Sequence, residues 1–157
     1  MAKTHSKHID FLVHDSTGTL RSIPVNSING IGLEYEELDM TAFQDAITNS
    51  VLGHPRNQIE ISGPWTTDAA ATAGTLSGSH TILSALEGGS TPLSLDVQVG
   101  IGGAWQPGDP QFGLTADASN GYLCASYTFD PSNMTYTARF VITGGAIVPE
   151  WGTAAET

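Results

Sequence analysis

Residues Leu93 to Ile101 read Leu-Ser-Leu-Asp-Val-Gln-Val-Gly-Ile, five apolar residues in strict alternation with polar or small ones. Successive side chains of a β-strand point to opposite faces, so this pattern demands a strand buried on one face only. The period recurs. Ile59, Ile61, Gly63 and Trp65 share one face of Gln58–Trp65. Met134, Tyr136, Ala138, Phe140 and Ile142 share one face of Met134–Thr143. Half-buried strands must lay their apolar faces against one another. The chain is therefore read as an antiparallel β-sandwich, mainly β.

The other segments fit that frame. Ile9–Val13 alternates, and Asp15-Ser16-Thr17-Gly18 is turn chemistry. Leu20–Ile28 is extended, with Pro24 marking an edge or a break. Leu33–Met40 is extended and acidic. Thr41–Leu52 stays open between a short helix, on Ala42, Phe43, Ile47 and Val51, and a long loop. Gly53-His54-Pro55-Arg56-Asn57 reads as a break, and Thr66–Gly78 as an exposed loop. Ser79 is placed as the N-cap of one short flanking α-helix, His80–Leu86, stopped by Gly88-Gly89. Gly102–Phe112 reads as loop. Asp130-Pro131-Ser132-Asn133 joins strands Tyr122–Phe129 and Met134–Thr143 in a hairpin. Six to eight strands are expected. The domain is expected over 9–148, with a flexible N-terminal arm at 1–8 and a flexible C-terminal tail at 149–157.

Charge narrows the function. Charged residues are only 13%, and 16 acidic face 5 basic residues, formally −11. Sequence-specific nucleic-acid binding needs a basic face, and so does adsorption to an anionic membrane. An acidic wall past which nucleic acid slides without sticking remains open. The single cysteine, Cys124, excludes an internal disulfide and any cysteine-cluster metal site. No apolar run reaches the 18 or more residues of a membrane span. The N-terminal residues through His8 hold no signal-peptide h-region, so synthesis in a cytoplasm is expected.

No constellation of an enzyme is read. Gly100-Ile101-Gly102 lacks the third glycine and the following helix of a dinucleotide loop. His5, His8, His14, His54 and His80 lie in unrelated contexts, so neither metal nor cofactor is expected. Glu34, Glu36, Glu37 and Asp39 alternate along an extended segment, Glu34 and Glu36 on one face. They suit a solvated strand or an electronegative surface better than a calcium loop or a glycosidase pair. Cys124, mid-strand, is read as a buried, inert thiol. Trp65, Trp105 and Trp151 suit core or subunit contacts, with sugar stacking as the rival use.

The order Leu38-Asp39-Met40-Thr41-Ala42-Phe43-Gln44-Asp45, then Gly53, then Ile59-x-Ile61-x-Gly63-x-Trp65 resembles the major tail tube proteins of long-tailed bacteriophages. The later helix and strands, ending in Thr143-Gly144-Gly145, continue the likeness over residues 10–148. It implies a β-sandwich whose copies form a six-fold ring, a homo-oligomer that stacks into a tube conducting DNA without binding it specifically. It also implies a virion location, other virion proteins as partners, and synthesis in the bacterial host cytoplasm. Phe43, Asp45 and Ile47 would lie in a subunit interface. Glu34, Glu36 and Asp96 would face an electronegative lumen. The same fold serves capsid decoration and turret proteins, which is the first alternative. The second is a carbohydrate- or receptor-binding sandwich using Trp65, Trp105 and Tyr122.

Overall fold

A computed structural model describes residues 9–72 and 75–152. The arm at 1–8 and most of the expected tail lie outside the described residues. The chain runs β1 (Ile9–His14), β2 (Leu20–Ile23), β3 (Ser27–Asn29), β4 (Glu34–Asp39), β5 (Ser50–Arg56), β6 (Gln58–Pro64), α1 (Ser79–Leu86), β7 (Leu95–Val99), β8 (Gln111–Leu114), β9 (Gly121–Asp130), β10 (Thr135–Thr143) and β11 (Glu150–Gly152). All strand pairings are antiparallel. One sheet has the order β11-β8-β7-β1-β2 and a second the order β3-β6-β10-β9. Among the described residues β4 and β5 pair only with each other.

The two large sheets meet face to face. Phe11, Val13, Ile23, Leu95, Val97 and Phe112 come from the first; Ile59, Ile61, Tyr122, Tyr136, Ala138 and Phe140 come from the second. The rings of Phe11 and Phe140 cross the interface at 5.8 Å. The helix α1 adds Ile82, Leu83 and Leu86 to the same core. The mainly-β sandwich with one flanking helix is thus the observed fold.

Pro24 is where the chain changes sheets. β2 belongs to the first sheet and β3 to the second. The Tyr136 hydroxyl donates to the Pro24 carbonyl at 2.7 Å. A Cβ on Gly63 would stand 2.6 Å from that same oxygen, so the crossing needs glycine there. The opposite turn is held by Asp15, whose carboxylate accepts from Thr17, Thr19 and Arg21. Burial works to raise the Asp15 pKa, but these bonds outweigh it and hold the carboxyl well below its usual range. Arg21 also donates to the Ala71 carbonyl at 2.7 Å and so ties down the loop after β6.

Several expectations need correction. Gly78, not Ser79, is the N-cap of α1, and no side chain caps it. The Ser79 hydroxyl instead donates to the Pro64 carbonyl and accepts from the Thr66 N–H. The loop expected over Gly102–Phe112 runs into β8, a strand too short and too close to Pro110 to show alternation. Glu150–Gly152, placed in the C-terminal tail, is an edge strand on β8, with Trp151 opposite Phe112. Their rings lie 5.3 Å apart. Eleven strands form among the described residues, more than the six to eight expected.

Candidate functional site: an exposed hairpin and its base

β4 and β5 form an arm. Every residue from Glu34 to Leu52 is exposed. Glu34 pairs with Arg56, Tyr35 with Pro55, Glu37 with Leu52, Leu38 with Val51 and Asp39 with Ser50. The register slips between Tyr35 and Glu37, where a bulge takes up one extra residue of β5. Gly53-His54-Pro55-Arg56 is therefore strand, not the expected break. A proline is tolerated because the hairpin has no third strand needing its N–H.

The tip, Met40 to Asn49, is loop, and the short helix weighed for Thr41–Leu52 does not form. A short amphipathic helix needs a surface to bury its stripe, and none is near. Hydrogen bonds within the tip shape it. Met40 N–H donates to Asn49 O at 2.8 Å, and the Thr41 hydroxyl accepts from Asn49 N–H at 2.8 Å. Asp39 accepts from Thr41 N–H, and Asp45 from Ala42 N–H. Bonds from Thr41 hold the Asp39 carboxyl below its usual range. These bonds leave the apolar side chains pointing out. Phe43 and Ile47 are 106% and 81% exposed, and Tyr35, Leu38, Met40, Val51 and Leu52 are exposed too.

The base is clamped by Asn57, the one residue between β5 and β6. Its side-chain N–H₂ donates to the carbonyls of Gly30 and Gly32 at 2.7 and 2.6 Å. Its side-chain oxygen accepts from the Tyr122 hydroxyl at 2.6 Å. Tyr122 is fully buried, and burial raises its pKa. Gly30 has φ +90°, and a Cβ there would run into the Gln58 carbonyl, so the tight turn below the arm requires glycine. Two cavities flank this base, of about 620 and 480 Å³, sharing Leu33, Arg56, Asn57 and Val141.

The residues singled out from sequence fall into three places. Phe43, Asp45 and Ile47 lie together at the tip, where Asp45 builds the turn while Phe43 and Ile47 face solvent. Glu34 and Glu36 are exposed on β4. Asp96 is elsewhere and is not a surface residue: it is 0% exposed on β7, opposite Leu12 and Gly113. The Gln98 amide donates to it at 3.4 Å. Alternation put Asp96 on the outward face correctly, but that face is covered there, so Asp96 is dropped from the lumen set. Tyr122, named for sugar binding, is buried as well. Trp65 stacks on His80 and Phe129 at 4.9 and 4.7 Å. Cys124 is buried, and burial, with Glu87 adding, pushes its thiol up to about 11. Among the described residues no three His, Cys, Asp or Glu side chains group as metal ligands. No helix there is long and apolar enough to cross a membrane. Sequence reasoning missed Asn57 and the length of the arm. The signal for the arm was Leu38 facing Val51 across a polar turn, with Met40 and Leu52 beside them in sequence.

No protein-family model matches the chain, and no curated protein matches it by sequence. Solved structures do match by fold. The cap that terminates the tube of the anti-feeding prophage superposes with a TM-score of 0.57 at 12% identity, covering 98% of this chain and 93% of that one. The sheath/tube terminator of an extracellular contractile injection system gives 0.54 at 12% identity, covering 97% and 98%. A chain of the same system's sheath-tube complex gives 0.51 at 11% identity, covering 97% and 93%. The chain shares the overall fold of these three chains. These neighbours come from contractile injection systems rather than from the tubes of long-tailed phages that the sequence resembles.

Proposed function

We propose that this protein is a non-enzymatic structural subunit of a phage-tail-like particle, assembling as a ring of identical copies. One observation carries the reading: the arm of β4 and β5 exposes its apolar side chains on a two-stranded hairpin. A lone hairpin is marginal in water, and a solvent-facing cluster of this kind marks a contact surface. The fold shared with tube-terminating caps over nearly the whole chain supports a place in a tail. Phe43 and Ile47 carry the inter-subunit contact, and Asp45 holds the tip that presents them. Glu34 and Glu36 give the ring an electronegative wall that repels phosphate, so DNA passes without adhering.

Rings of this kind either stack into a tube or end one. Two of the structural neighbours end a tube, which favours a ring that ends one; the resemblance to tail tube proteins favours stacking. Negative-stain electron microscopy of the purified protein, at low and high concentration, tests both. Hollow rings are expected. Growth into tubes selects the tube subunit, and rings that never stack select the terminator. Monomers or compact trimers at every concentration overturn the proposal and make capsid decoration the better account.

A further inference from the structure

The sequence holds two Asn-Gly pairs, Asn29-Gly30 and Asn120-Gly121. Such a pair is chemically labile, because glycine has no side chain to keep its backbone nitrogen away from the asparagine Cγ. The fold treats the two pairs in opposite ways. Asn120 is 8% exposed. Its side-chain N–H₂ donates to both carboxylate oxygens of Asp117, at 3.0 and 3.1 Å, and its side-chain oxygen accepts from the Ala146 N–H at 3.0 Å. Gly121 lies in β9 opposite Thr143, and a Cβ on it would stand 2.8 Å from Pro92 and 2.9 Å from Ala116. Asn29, by contrast, is the last residue of β3, an edge strand of three residues, and both Asn29 and Gly30 are exposed. Among the described residues no hydrogen bond holds the Asn29 side chain or the Gly30 N–H. A short, exposed edge strand also opens locally at little cost.

We infer that Asn29-Gly30 is a self-modification site, a deamidation that loosens the base of the arm, and that Asn120-Gly121 is held inert by the fold. The Gly30 nitrogen attacks the Asn29 side-chain carbonyl carbon. The side-chain nitrogen leaves as ammonia, carrying the proton of the Gly30 N–H, and a cyclic imide remains. Water then opens the imide at either carbonyl, giving aspartate or, with the main chain rerouted through Cβ, isoaspartate. Nothing but water is consumed, and nothing is oxidised or reduced. Both products disturb what surrounds them. Asn29 stands opposite Glu60, so a new carboxylate faces a like charge across the strand pair. The isoaspartyl form also lengthens the main chain just before Gly30, whose carbonyl accepts from the Asn57 clamp at 2.7 Å. The change is irreversible and accumulates with the age of the protein.

Incubation of the full chain at mildly alkaline pH, native and in urea, followed by peptide mass spectrometry, tests this. In the native protein the peptide carrying Asn29-Gly30 is expected to gain the mass of an amide turned to an acid, and to split into two species of equal mass, aspartyl and isoaspartyl. The peptide carrying Asn120-Gly121 is expected to change only in urea. Asn29→Gln, which keeps the amide but closes a ring poorly, should abolish the native mass gain. Asn29→Asp, which supplies one product at once, should speed amide exchange at Gly30–Leu33 while β10 stays protected. No native conversion at Asn29, or conversion of both pairs at one rate in the native protein, would overturn the site. A mass gain that survives in Asn29→Gln would do the same. Unchanged exchange in both Asn29→Asp and the aged wild-type protein would overturn the loosening of the arm.

Discussion

Strands β5 and β6 are separated by Asn57 alone, yet their surroundings differ completely. On β6, Ile59 and Ile61 are 0% and 1% exposed, locked between β3 and β10. On β5, Val51 and Leu52 are 44% and 66% exposed, with one partner strand and nothing beneath. Both strands carry apolar residues suited to a sheet. The difference lies in what completes them. β6 is completed by its own chain, whereas β5 leaves its apolar surface for something outside. A side chain buried within the protomer holds the fold; under the proposed function, the same kind of side chain on the arm holds an assembly.

That contrast gives graded expectations. The largest belongs to the core. Phe140→Ala removes a fully buried ring packed on Phe11 and should cost about 3–5 kcal/mol of unfolding free energy, read by urea denaturation. A cost near that of a surface change would mean the two sheets do not share one core. Next is the clamp between the two regions. Asn57→Ala strands the buried Tyr122 hydroxyl and should cost about 2 kcal/mol. It should also speed amide exchange at Gly30–Leu33 and through β5, while β10 stays protected. Equal loosening of β10 would refute a local clamp.

Smaller still is the Asp15 turn, which acts on the sandwich and not on the arm. Its carboxyl pKa is lowered on folding, so its contribution is complete above the ordinary value of about 4 and is lost as pH falls through the folded value. Asp15→Asn should cost about 1–2 kcal/mol at pH 7 and flatten the acid limb of a stability-against-pH curve. An unchanged limb would remove Asp15 as its cause. The smallest effect on stability is at the tip. Phe43→Ala should change protomer stability by less than about 0.5 kcal/mol, yet abolish rings on a microscope grid. Rings that form normally would take Phe43 out of the interface.

The sandwich was legible where strands obey a period of two. Leu93–Ile101 and Met134–Thr143 contain β7 and β10, and Tyr122–Phe129 lies within β9, because burial on one face forces alternation. The helix was legible from the stripe of Ile82, Leu83 and Leu86. β8 and β11 were not, since three or four residues beside a proline give alternation no room. The arm was half legible. The resemblance set Phe43, Asp45 and Ile47 in a subunit contact, and the structure leaves Phe43 and Ile47 exposed, but β5 was hidden by Gly53 and Pro55, which punctuate chains that must pack on two sides. Asp96 misled for the opposite reason. Its place on the outward face was right, but pattern alone does not reveal that this face is covered. Asn57 was invisible because its role depends on Gly30, Gly32 and Tyr122, distant in sequence and joined only by the fold.

The central claim is that residues 34–56 are completed by another copy. Hydrogen exchange of the wild-type protein, followed residue by residue from dilute to concentrated solution, tests it most directly. The account predicts fast exchange across the arm when dilute, and strong protection of Met40–Leu52 at the concentrations where rings appear, with β6 and β10 protected throughout. An arm that exchanges equally fast in rings and in dilute protein, or that is already as protected as β6 when alone, would contradict it.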